Sequence, residues 1–134
     1  MTREEKELVI KDLCARLPYG VKVKRPSDDE PYTLLAINWN KEIVVIGFMM
    51  DGMYVTSKQK LVDIKPYLRP MSSMTEEEYN EVGDLLKAED PRLNLNEVMA
   101  TIEIDWLNAH HFDYRGLIEK GLAIEVTNND NPYK

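Results

Sequence analysis

The apolar residues of this chain change period twice, and that constrains its fold more than any other feature. Up to Leu17 they recur every three or four positions, the spacing of one helix face. From Gly20 to about Pro70 they alternate or run together, as strands do, and from Thr75 the helical period returns. A block of strands between helices excludes an alternating parallel α/β sheet and predicts a single α+β domain over residues 1–134. Its parts are a helix (1–19), a strand-rich stretch (20–70), a helical stretch (71–113) and a connector, short strand and tail (114–134). No internal repeat interrupts this order.

Local signals sharpen each part. Thr2 with Glu5 forms a capping box, Val9, Ile10, Leu13, Cys14 and Leu17 make an apolar stripe, and Pro18 and Gly20 end the helix. Val21 and Val23 alternate with lysines, Ser27 to Pro31 is a polar loop, and Tyr32 to Trp39 is a strand. The run Ile43 to Met50 is nearly all apolar and predicts a strand buried on both faces. Asp51-Gly52 suits a type I′ turn, with Met53 to Thr56 returning antiparallel. Leu61 to Ile64 is expected as a last short strand that Lys65-Pro66 terminates. So many short strands in so few residues predict a small curled antiparallel sheet or an SH3-like barrel, flanked by the N-terminal helix and two C-terminal helices.

The first of those two helices begins at a second capping box, Thr75 with Glu78, and carries Tyr79, Val82, Leu85 and Leu86 until Asp90-Pro91. A third cap, Asn94 with Glu97, opens the next, whose stripe runs Leu95, Val98, Met99, Ile102, Trp106, Ala109 and ends around His110–Asp113. Leu122 to Val126 is a short β-branched stretch expected at a sheet edge, and Asn128 to Lys134 a frayed tail.

Composition narrows the function classes. The formal net charge is −7, which disfavours wrapping by duplex nucleic acid. The charge is uneven: residues 71–134 hold fourteen acids against five bases, residues 20–70 six acids against eight bases. Strand-region bases (Lys22, Lys24, Arg25, Lys58, Lys60, Lys65, Arg69) interleaved with Tyr32 and Trp39 keep a single-strand nucleic-acid contact as a second alternative. No apolar run spans a membrane, the charged N-terminus does not resemble a signal peptide, and the single cysteine fits a reducing cytoplasm.

His110-His111-Phe112-Asp113 is the one cluster that suggests chemistry, as part of a metal site or as a base with its orienting acid. Successive helical side chains diverge by about 100°, so both imidazoles face one ion only if the helix has already ended. The competing structural role is a helix C-terminus where histidine caps the last carbonyls. Cys14 has no local histidine to activate it and is expected as a core thiol. Phosphate-binding glycine motifs are absent, and nothing calls for a cofactor. Met49, Met50 and Met53 around the Asp51-Gly52 turn suit either core packing or an adaptable contact surface.

Two strings carry a resemblance. Ile64-Lys-Pro-Tyr-Leu-Arg-Pro-Met-Ser-Ser-Met-Thr-Glu-Glu-Glu78 and Trp106-Leu-Asn-Ala-His-His-Phe-Asp-Tyr-Arg-Gly-Leu-Ile-Glu-Lys-Gly-Leu-Ala-Ile124 resemble small proteins encoded by Bacteroides-group gut bacteria, their phages and mobile elements. That group has no established activity, so the resemblance implies a bacterial or phage setting and transfers no catalytic residue. The expectation is therefore a non-enzymatic accessory protein binding a protein partner, with homo-oligomer formation open. Tyr67, Arg69, Tyr114 and Arg115 are the expected contact residues, because Tyr and Arg dominate interface centres. A metal-dependent enzyme using His110, His111 and Asp113 is the alternative.

Overall fold

The computed structural model describes residues 1–87 and 95–133. Helix α1 (Arg3–Arg16) starts at the Thr2–Glu5 capping box and ends in a 3-10 turn, Leu17–Tyr19, closed by Gly20 in the left-handed conformation. Strands β1 (Lys22–Lys24), β2 (Tyr32–Asn38), β3 (Ile43–Met50) and β4 (Met53–Lys60) then form an antiparallel meander. After a 3-10 turn at Leu61–Asp63, β5 (Lys65–Leu68) returns to pair with β1. Helices α2 (Glu76–Lys87) and α3 (Leu95–Ala109) follow, and β6 (Ile124–Glu125) joins β5 in parallel. The sheet order is β4-β3-β2-β1-β5-β6, a curled, mostly antiparallel and open sheet in an α+β fold. No described helix is long and apolar enough to cross a membrane.

Three strand expectations are corrected. Leu61–Ile64 is no strand: Leu61 and Ile64 turn into the core through the 3-10 turn, and pairing resumes at Lys65. Pro66, expected to end pairing, lies opposite Val23 inside β5. The run Ile43–Met50 is not buried throughout on both faces: Val44, Ile46 and Gly47 are buried, Ile43, Val45 and Phe48 half-buried. Val44 and Ile46 are in the core, whereas Met49 and Met50 are exposed because the hairpin projects past it. The expected Asp90-Pro91 break and Asn94–Glu97 cap rest on side chains outside the described residues.

The main core joins Val9 and Leu13 of α1 to Val21, Leu34, Ile46 and Leu68 of the sheet and to Leu117 and Leu122 beyond α3. At Gly47 the strands approach closely: a Cβ there would lie 2.8 Å from Leu35 Cδ1 and 3.0 Å from the Val55 carbonyl. Leu35 sits at the irregularity in β2–β3 pairing between Leu34 and Ala36, a local twist that helps the sheet curl. A second cluster, Trp106, Leu107 and Phe112, packs with Met74, Val82 and Tyr114, tying the helices to the end of β5. Cys14, expected in the core, is exposed, because the buried face of α1 is Val9, Asp12, Leu13 and Arg16.

Candidate functional site

The histidine cluster lies where α3 ends against β5. His111 occupies the left-handed position (φ 65°) that usually goes to glycine after a helix. The Phe112 N–H bonds the Leu107 carbonyl at 2.9 Å and the His111 N–H bonds that of Asn108 at 3.1 Å, closing a Schellman-type end with Phe112 and Leu107 both buried. The chain then runs beside β5: the Arg69 N–H bonds the His111 carbonyl and the Asp113 N–H bonds the Arg69 carbonyl, each at 2.8 Å.

This ending separates the three candidate side chains. His110 Nδ1 donates to the Trp106 carbonyl at 2.9 Å while its ring stacks on Trp106 at 4.0 Å, the capping role open to it from sequence. His111 stacks on Tyr133 at 3.6 Å instead, and its Nδ1 is buried with no partner. Asp113 spends both carboxylate oxygens on backbone, accepting from the N–H groups of Leu117 and Ile118 at 2.9 Å each. Among the described residues, no three His, Cys, Asp or Glu side chains converge to hold a metal ion.

The four expected contact residues are held in the architecture. Tyr67 is corrected from surface to interior: the residue is 2% exposed on an inner strand, with Tyr133 docked on its carbonyl. Arg69 makes a two-pronged ion pair with Glu78 (2.6 and 2.7 Å), bonds the Ser73 carbonyl and stacks over Phe112 at 4.1 Å. Glu78 also closes the Thr75 capping box, so one carboxylate joins β5, the turn and α2. Arg115 bonds Asp12 at 2.8 Å and lies over the Tyr114 ring, whose hydroxyl donates to Asn108. Three of the basic strand residues are likewise engaged, Arg25 with Asp28, Lys24 with Asp29 and Lys22 with Thr33. Tyr32 is buried and offers no stacking platform, although Trp39 is 63% exposed.

A cleft of about 540 Å³ opens beside the cluster, lined by Arg69, Thr75, Glu78, His110, His111 and the segment 126–133. That segment contradicts the expectation of a frayed tail. The Tyr133 hydroxyl donates to the Tyr67 carbonyl at 2.7 Å and accepts from the Lys22 N–H at 3.0 Å, bridging β1 and β5. Burial pushes its phenol pKa up. Among the described residues, no hydrogen bond joins a base to a nucleophile within the cleft.

Two acid transitions follow from this geometry. Burial, helped by the nearby positive charge of Arg16, lowers the His111 pKa to about 4 from 6.5. As pH falls below 6.5 the unfolded imidazole takes up a proton that the folded one refuses, so stability drains between pH 6.5 and 4. The Arg69 hydrogen bonds hold Glu78 down to about 2 from 4.5, so its contribution is present above pH 4.5 and is lost toward pH 2. Thermal melts at pH 7 and pH 4.5 should show a loss of roughly 1–2 kcal/mol from His111, allowing for partial solvent screening. His111→Asn, which tolerates a positive φ, should shrink that loss. Equal losses in both proteins would show that another group carries the transition.

The exposed counterpart of these engaged residues is the β3–β4 hairpin. Asp51 and Gly52 (φ 50° and 80°) form the expected primed turn. Around it Met49, Met50, Met53, Tyr54 and Val55 are all exposed, Met53 at 73% and Tyr54 at 55%. The methionines are visible in the sequence, but their exposure depends on how far the hairpin projects past the core. The chain matches no family model, no curated protein and no solved structure.

Proposed function

We propose that this chain works by binding a protein rather than by catalysis, as an accessory protein whose contact surface is the β3–β4 hairpin. The observation that carries this reading is the five large apolar side chains exposed together at the tip and edge of one hairpin. Met49 and Tyr54 lie on one face of the hairpin and Met50, Met53 and Val55 on the other, and exposed apolar clusters of this kind suit a contact site, with methionine adapting its shape to a partner. The engagement of His110, His111 and Asp113 in capping and stacking favours binding over the metal-enzyme alternative. A reducing cytoplasm is the proposed setting, on the strength of a single cysteine, and a phage or mobile-element origin rests on the resemblance of the two strings.

Pull-down and metal analysis together test the reading. Met53→Asp combined with Tyr54→Asp should abolish partner recovery while leaving the melting temperature near that of the parent, since both side chains are exposed. Metal analysis of protein purified without a histidine tag should find no stoichiometric transition metal. Stoichiometric zinc, manganese or iron would instead restore the enzyme reading.

A further inference from the structure

We infer that two copies of this chain pair edge to edge through β4, antiparallel, with Thr56 on the twofold axis. This rests on the hairpin reading above and names its partner. β4 has a neighbour on one side only, whereas the opposite edge of the sheet is the two-residue β6, with Arg69 and Phe112 bridged beside it. β4 is thus the long open edge among the described residues, and such an edge is a template for another strand.

The hairpin decides which groups that edge presents. In a two-residue hairpin the residues flanking the loop, Met50 and Met53, exchange both backbone bonds. The backbone groups of Met53, Val55, Ser57 and Gln59 therefore turn toward β3, and those of Tyr54, Thr56, Lys58 and Lys60 turn outward. A twofold axis must set outward-facing residues opposite one another. Centred on Thr56, it pairs Thr56 with Thr56 and Tyr54 with Lys58 of the second copy. On the other face Val55 then meets Ser57 and Met53 meets Gln59.

Each pair is compatible: threonine faces threonine, and a lysine stem and ammonium lie along a tyrosine ring. Centred on Lys58, the same edge would oppose two lysines, which is unfavourable. With Thr56 at the centre the two Lys58 residues sit four positions apart along the ladder, about 13 Å, beyond the physiological screening length of about 8 Å. The acidic excess of residues 71–134 does not oppose this approach, because β5 and β6, which carry the attachments to that half, lie at the far edge of the sheet.

Sedimentation equilibrium of the full chain tests the pairing. The mass should rise with concentration from 15.6 kDa toward twice that value, with a midpoint in the micromolar range expected of a small interface. Thr56→Lys sets two ammonium groups face to face on the axis and should weaken the dimer by about tenfold or more. Thr56→Val keeps the strand and should retain it. A parent protein that stays at 15.6 kDa throughout overturns the inference, as does a Thr56→Lys protein that dimerises like the parent. Monomeric protein that still loses a different partner through the Met53 and Tyr54 substitutions would refute self-pairing and leave the hairpin reading standing.

Discussion

Asp12→Ala is expected to lower the unfolding free energy by about 3–5 kcal/mol, the cost of breaking a buried ion pair from one side. Asp12 and Arg16 are both fully buried, one turn apart on α1. Arg16 Nε donates to Asp12 at 2.8 Å, and Arg115 Nη1 donates to the other Asp12 oxygen at 2.8 Å. Arg16 also donates to the Phe112 carbonyl at 2.6 Å, while its Nη1 is buried without a partner. The Tyr114 ring has a guanidinium against it from each arginine, at 5.3 and 4.6 Å. Asp12 is thus the one carboxylate between two cations, and its removal leaves Arg16 buried and uncompensated. Out of a total stability of roughly 5–15 kcal/mol, that loss is large. Denaturant titration should show a lower midpoint with an unchanged slope. Combining Asp12→Leu with Arg16→Met should recover part of the loss, because apolar groups of similar volume can replace a buried pair while Arg115 and the Phe112 carbonyl still lose their partners. A loss below about 1 kcal/mol in Asp12→Ala would mean that Arg16 finds water or another acceptor.

Phe112→Ala should cost a similar amount, about 3–5 kcal/mol, through lost burial and the cavity left behind. Phe112 is fully buried, 5.7 Å from Trp106 and 4.1 Å from the Arg69 guanidinium. It is also the residue that closes the end of α3 and runs beside β5 at Arg69. The substitution therefore loosens three attachments together, and the tryptophan emission should shift to the red as Trp106 opens to water, Trp39 being already exposed. Denaturant titration followed by that emission gives both readouts. A near-parental midpoint would mean that the α3–β5 junction collapses around the smaller side chain.

What the sequence reveals and what it hides divide by range. Both capping boxes and the Asp51-Gly52 turn are settled by residues three or fewer apart, and they form as their spacing predicts. Asp12 and Arg16 have the spacing of a surface ion pair, so nothing local marks them as buried. Their burial depends on Arg115 and the Phe112 carbonyl, 103 and 96 positions away. The His110–Asp113 cluster misleads in the opposite way. Convergence requires that the helix end at the histidines, and the left-handed residue His111 does end it but sends each side chain to a different neighbour. The apolar run of β3 does not reveal that its last residues are exposed, because that depends on what packs against each end of the strand, set by residues distant in sequence. Tyr133 carries no periodic signal at all, and its docking is a matter of two backbone groups left open between β1 and β5.

On the proposed function, this protein meets its partner at the hairpin and not at the histidine cleft. Photo-crosslinking in cells compares the two directly, with a benzophenone amino acid placed at Tyr54 in one protein and at Asn131, on the cleft wall, in another. A discrete crosslinked product, with a second copy or another protein, is expected from position 54 and none from position 131. A product from position 131 with none from position 54 would contradict the hairpin reading.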